Sequence, residues 1–124
     1  MKTTDSRPPV WVGHVVMYTK LVTESSKFMQ LVGMRLIASD DDFAVLEMRG
    51  GTHLVLTTNP ESKLIKASFD LMVEDLDATH ARFNELGLDP AEIERGKIHD
   101  CFEVREPSGT VITFNSSHVG DLPV

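Results

Sequence analysis

The order of patterned segments predicts an α+β domain made of two βαβββ modules lying side by side in one chain. Three observations predict it. Short alternating runs and amphipathic helical runs follow one another in the same order twice. The two halves superimpose at an offset of about 54 residues. Finally, 124 residues are enough for one compact core and too few for two ordinary domains.

A polar arm with Pro8 and Pro9 leads into a first strand expected over Val10 to Thr19. Alternation there puts Val12, His14, Val16 and Tyr18 on one face and Trp11, Val15 and Met17 on the other. Thr23 offers an N-cap oxygen to a helix in which Phe28, Leu31 and Val32 recur at helical spacing, and Gly33 stands where a left-handed residue closes it. Strand signals follow at Met34 to Ala38, Phe43 to Arg49 and Thr52 to Thr58. Ser39-Asp40-Asp41-Asp42 and Gly50-Gly51 supply the turns between them. Module 1 is thus expected over about 10–58.

Module 2, expected over about 67–118, repeats this grammar. Ala67 to Val73 is strand-like, Asp75 caps a helix carrying Leu76, His80, Phe83 and Leu86, and Gly87 ends it. Further strands are expected at Ala91 to Arg95, Cys101 to Arg105 and Thr110 to Asn115, with turns near Gly96-Lys97 and Glu106 to Gly109. The offset pairs Val22 with Leu76, Met29 with Phe83, Val32 with Leu86 and Gly33 with Gly87. It grows to about 58 where Gly51-Thr52 meets Gly109-Thr110, a few loop residues that loops absorb cheaply. A repeat present only twice is a duplicated unit and not a solenoid.

Twelve basic residues against nineteen acidic ones give a net charge of −7, with the basic ones scattered singly, which argues against a nucleic-acid partner. No apolar stretch approaches the roughly 18 residues needed to cross a bilayer, so no membrane association is expected. Met1 to Val10 lacks the apolar core of a signal peptide, and Cys101 is the only cysteine, so a reducing, cytoplasmic setting is expected. Cys101 itself reads as a small buried hydrophobe. Ser116, Ser117 and His118 come without a Gly-x-Ser-x-Gly elbow, Gly50-Gly51 is too short to cradle a phosphate, and Asp40-Asp41-Asp42 lacks calcium-loop spacing.

Three stretches carry a resemblance: Gly13-His14-Val15-Val16-Met17-Tyr18-Thr19, then Phe69-Asp70-Leu71-Met72-Val73-Glu74-Asp75-Leu76, and Phe102 to Phe114 with its Glu106-Pro107-Ser108-Gly109 turn. Together with the duplication they resemble the vicinal oxygen chelate superfamily, which includes glyoxalase I, bleomycin-resistance proteins and extradiol dioxygenases. The resemblance implies a glyoxalase-like fold, in which eight strands form an incomplete curled barrel with a concave ligand cavity. In the superfamily's metalloenzymes, one side chain from the first and last strand of each module holds a divalent ion. Carried over residue by residue, those slots hold His14 and Val55 in module 1 and Ser68 and Thr113 in module 2. Only His14 is a strong ligand, whereas a catalytic site normally keeps three. His53 lies two residues before Val55 on the same strand face, which leaves open a shifted set of His14, His53 and one of Glu47, His99 or Asp100.

The resemblance therefore implies first a protein that binds or sequesters a small molecule, an antibiotic among the candidates, with no metal cofactor. Its expected ligand-binding residues are His14, Val16, His53, Val55 and Ser68 from the first part of the chain, and His99, Phe102, Thr113 and Asn115 from the last. Val12 completes the lining. The acidic balance would steer a cationic or metal-complexed ligand toward it. The alternative is a metal-dependent glyoxalase-like lyase or isomerase, or a ring-cleaving dioxygenase, using one divalent ion, with His14 and His53 as ligands or as acid and base. A pure interaction subunit is the third reading. A homodimer is expected in each case, because an open curled sheet leaves edges to cover.

Overall fold

The computed structural model describes residues 4–59, 61, 63 and 65–124. Module 1 consists of β1 (His14–Tyr18), α1 (Val22–Val32), β2 (Arg35–Ser39), β3 (Phe43–Glu47) and β4 (His53–Thr57). Its four strands form one sheet in the order β1-β4-β3-β2, with β1 parallel to β4 and the other pairs antiparallel. Module 2 consists of β5 (Lys66–Val73), α2 (Leu76–Glu85), β6 (Cys101–Arg105) and β7 (Val111–Ser116), in the sheet order β5-β7-β6. Again the first strand runs parallel to the last, and the remaining strand packs antiparallel outside it. The fold is α+β with two unclosed sheets.

Each sheet is covered by one helix on one face only. On α1, Val22, Phe28 and Met29 are buried against Met17, Ala44, Leu46, Leu54 and Leu56, the inward residues of β1, β3 and β4. On α2, Leu76 and Phe83 do the same for module 2. Phe83 meets Phe114 and Phe102 edge-on at ring centroids 5.0 and 5.8 Å apart, and Phe102 stacks on Phe114 at 5.4 Å. Met29 and Phe83, paired by the repeat, are both fully buried. Gly33 closes α1 at φ 122°, donating its N–H to Gln30, and Gly87 follows α2 at φ 75°; both values lie where a side chain would be strained.

The modules meet edge to edge at β1 and β5. Arg49, just before β4, pairs with Glu74, just after β5, at 2.8 Å, and Tyr18 to Lys20 share a cavity wall with Ser108 and Thr110. The end of β1 therefore lies beside the start of β7. On the helix side, the Arg82 guanidinium of α2 donates to the Val32 carbonyl at the end of α1.

Four sequence expectations change. Residues 10–13 lie outside the first strand, because its partner β4 begins at His53 and the chain before it turns away through Gly50 and Gly51, both at positive φ. Thr23 is inside α1, whose N-cap is Leu21; Thr19 organises the entry instead, its hydroxyl accepting from the Leu21 N–H at 3.0 Å. The strand expected at Ala91 to Arg95 is reduced to one bridge between Glu94 and Cys101, so module 2 has three strands among the described residues. Pro90 supplies no donor there, and at Gly96 the chain folds so tightly that a Cβ would clash with the His99 carbonyl oxygen. Cys101 is half-buried and pairs with Asn115 on the uncovered face, while its neighbour Phe102 takes the core position.

Candidate functional site

Because side chains alternate across a strand, every second residue of each sheet faces away from its helix. On module 1 the register stacks these residues into rows. His14, His53, Glu47 and Arg35 form one row, one residue from each of the four strands. Val16, Val55, Val45 and Ala38 form the next, and Tyr18, Thr57 and Phe43 the third. On module 2 the corresponding rows are Met72, Asn115 and Cys101, then Asp70, Thr113 and Glu103.

The first row is a connected polar chain. Nε2 of His53 lies 3.0 Å from Oε2 of Glu47, and Nη2 of Arg35 lies 2.9 Å from Oε1 of the same carboxylate. A carboxylate can only accept, so Nε2 of His53 carries the proton of this contact. The His14 and His53 rings lie 5.6 Å apart, tilted by 35°. His14 is exposed, while the His53 and Glu47 side chains are about three-quarters buried. The second row is an apolar strip, with Val16 45% exposed.

Module 2 contributes a trough of about 370 Å³, lined by Lys66, Ser68, Asp70, Thr113 and Asn115 together with Ala67 and Phe69. A register irregularity in β5 between Lys66 and Asp70 opens it. Oγ1 of Thr113 is buried there with no hydrogen-bond partner among the described residues, a polar atom that a ligand group or water would satisfy.

The expected residues thus divide. His14, Val16, His53 and Val55 share the uncovered face of module 1, and Ser68, Thr113 and Asn115 share the trough of module 2. Phe102 is a correction: at 1% exposure it lies under α2 with Phe83 and Phe114, because β6 turns its even-numbered residues inward. Nδ1 of His99 donates to the Ser116 carbonyl at 2.7 Å, and its ring lies 4.8 Å from that of His118. Asp100 is held by Arg95 at 2.9 Å. Neither is brought to the His14–His53 pair by any hydrogen bond or ring contact among the described residues. Glu47 and Arg35 complete the polar row, a partnership that depends on the β2–β3–β4 register.

The donor set does not fit a chelated divalent ion. Val55 has no donor atom, Ser68 and Thr113 offer neutral hydroxyls, and Glu47 is committed to His53 and Arg35. No group of three His, Cys, Asp or Glu side chains converges among the described residues.

No protein-family model matches the chain, and no curated protein matches it in sequence. Solved structures do. A lactoylglutathione lyase from Agrobacterium tumefaciens aligns with a TM-score of 0.75 at 15% identity, over 90% of this chain and 96% of that one. An antibiotic-binding protein from Streptomyces sp. CB03234 aligns at 0.73 and 21% identity, over 86% and 95%. A bleomycin-binding protein from Streptomyces verticillus, solved with copper(II)-bleomycin, aligns at 0.68 and 20%, over 90% and 100%. At these identities the likeness establishes the fold alone, which is glyoxalase-like. No helix among the described residues is long and apolar enough to cross a membrane.

Proposed function

We propose that this chain, which carries the glyoxalase-like fold, binds or sequesters a small molecule on its uncovered sheet face and uses no metal of its own to do so. The observation that carries the reading is the content of the four slots where the superfamily's metalloenzymes place ligands: an exposed imidazole, a valine and two hydroxyls. An apolar strip through Val16 and Val55, with hydrogen-bonding rows beside it, has the character of a small-molecule site. Structural neighbours that bind bleomycin or another antibiotic support the same class of ligand. The net charge of −7 favours a cationic or metal-complexed one. The chain acts in the cytoplasm as a homodimer, the second copy covering part of the face that each monomer leaves bare.

The test is a thermal-shift screen of cationic antibiotics and other small molecules against the wild type, Val16→Asp and His14→Ala. A ligand at 100 times its Kd stabilises the native state by about 2.7 kcal/mol, a shift easily read. The reading expects at least one ligand whose shift disappears in Val16→Asp. A shift of equal size in all three proteins would place binding elsewhere and overturn it.

One observation favours a second reading. His53, held at Nε2 by Glu47 and with His14 beside it, is built as an acid–base pair would be. On that reading the chain is a glyoxalase-like lyase or isomerase. In its metal-dependent form, including a ring-cleaving dioxygenase, it has two imidazoles and is a third ligand short. Turnover of a substrate with vicinal oxygens that is lost in both His53→Ala and Glu47→Ala would favour the enzyme over the binding protein.

A further inference from the structure

A second cavity lies away from the His14 row, where the two modules join. It has a volume of about 190 Å³ and, among the described residues, a wall without a single aliphatic side chain: Tyr18 and Lys20 from the end of β1, Asn59 and Lys63 from the connection between modules, and Ser108 and Thr110 from the turn into β7, with Thr19 behind them. That space matches roughly six waters of liquid volume, enough for a tetrahedral oxyanion with a short organic tail.

Its electrostatics run against those of the whole chain. In a protein of net charge −7, the two lysines on this wall form no ion pair among the described residues, whereas Lys66 is paired with Glu103 at 3.1 Å. The carboxylate of Glu106 lies beneath the wall, but its oxygens are turned inward. They accept from the Ser25 hydroxyl at 2.6 Å, from the Ser108 hydroxyl at 2.7 Å and from the Thr110 N–H at 3.3 Å. Thr110 is only 5% exposed, and its hydroxyl takes part in no hydrogen bond among the described residues. The Tyr18 hydroxyl and the Asn59 amide nitrogen are likewise uncommitted there. Two ammonium groups, two free hydroxyls and an amide N–H₂ around one small cavity make a donor-rich set, and donors want an acceptor that carries negative charge.

We propose that this junction cavity binds an oxyanion, either inorganic phosphate or the phosphate group of a small organic ester. Lys20 and Lys63 supply the charge; Tyr18, Asn59 and Thr110 supply neutral donors. Since the wall draws on both modules and on their connection, occupancy ties the connection to the turn that follows β6. The site shares only Tyr18, at the far end of β1, with the uncovered face and includes no residue of the His14 or Val16 rows.

The test is a titration of isotope-labelled wild-type protein with inorganic phosphate and, separately, with glycerol 3-phosphate, each at ionic strength matched with sodium chloride. Amide resonances of Lys20, Ser108 and Thr110 are followed. Saturable shifts with a Kd on the order of millimolar or tighter are expected. The Kd should weaken by about tenfold or more in Lys20→Ala/Lys63→Ala and stay unchanged in Lys97→Ala. Tighter binding of the ester than of inorganic phosphate assigns the cavity to a phosphorylated small molecule; equal binding assigns it to the free anion. Shifts that fail to saturate, or that are the same in the double lysine variant as in the wild type, overturn the proposal. The readout is phosphate affinity, so failure here is distinct from failure of the functional reading, which the thermal-shift screen tests separately.

Discussion

Substituting Glu106 by alanine should weaken the fold more than any single change at the concave face, because this buried carboxylate joins elements 81 residues apart in sequence. At 2% exposure it receives the Ser25 hydroxyl of α1, so the one proton of Ser25 is spent on it. Thr19, 2.8 Å from Ser25, must then donate to the serine oxygen while accepting from the Leu21 N–H. In this way one acceptor orders the entry to α1 from across the molecule. Removing it strands the donors of Ser25 and Thr110, which are 0% and 5% exposed, while half-buried Ser108 can turn to water. A buried donor without an acceptor costs about 1–3 kcal/mol, so Glu106→Ala should lose about 2–6 kcal/mol. Total stabilities of about 5–15 kcal/mol make that a large share, and at this chain length about 4 kcal/mol lowers Tm by roughly 12–24 °C. Ser25→Ala leaves the carboxylate its other donors but takes away the acceptor of the Thr19 hydroxyl, which is 4% exposed, and should cost about 1–3 kcal/mol. Urea unfolding followed by far-UV circular dichroism is the assay. The single tryptophan, Trp11, is 72% exposed outside β1 and reports poorly on the core. A Glu106→Ala protein within about 1 kcal/mol of wild type would refute the reasoning.

Met29→Ala and Phe83→Ala, the two core positions related by the duplication, should cost about 2–5 and 3–5 kcal/mol, and each should leave a single unfolding transition because both modules share one buried cluster. Two separate transitions by circular dichroism would contradict that. Arg95 donates to both Asp77 and Asp100 and holds the Asp77 carboxyl below its usual range. A depressed carboxyl favours the folded state above its unfolded pKa and loses that contribution as pH falls through the folded value. Side-chain NMR titration of Arg95→Ala should therefore move the Asp77 midpoint upward, and an unchanged midpoint would refute the assignment.

Much of the fold was legible because it depends on local chemistry. Asp75 does cap α2, its carboxylate accepting from the Ala78 N–H at 2.9 Å, and Asp40 does organise its turn, accepting from the Asp42 and Phe43 N–H groups. The paired positions Met29 and Phe83 were readable because burial at a helical period survives duplication. What stayed hidden depends on tertiary register. Thr23 has the chemistry of a cap, yet the hydroxyl that serves α1 is Thr19, held in place by the chain through Ser25 and Glu106. Ala91 to Arg95 carries a strand pattern, but Pro90 and the close approach at Gly96 leave room for only one bridge. At the candidate site, the alternation that placed His14 and Val16 on one face held, because it needs only the period of a strand, whereas Val55 was set beside them by the resemblance. Phe102 was misplaced although β6 occupies the residues expected for it, because alternation separates the two faces of a strand without saying which of them meets α2. The His53–Glu47–Arg35 chain needs three strands in register, and one sequence read along its length shows only the residues, not their alignment.

The most direct test of the central claim, a concave face that binds its ligand without chelating a metal, is elemental analysis of untagged protein for zinc, nickel, manganese and iron. The account predicts sub-stoichiometric metal that does not change in His14→Ala. One tightly held ion per chain, lost in His14→Ala, would contradict it and place His14 in a metal centre.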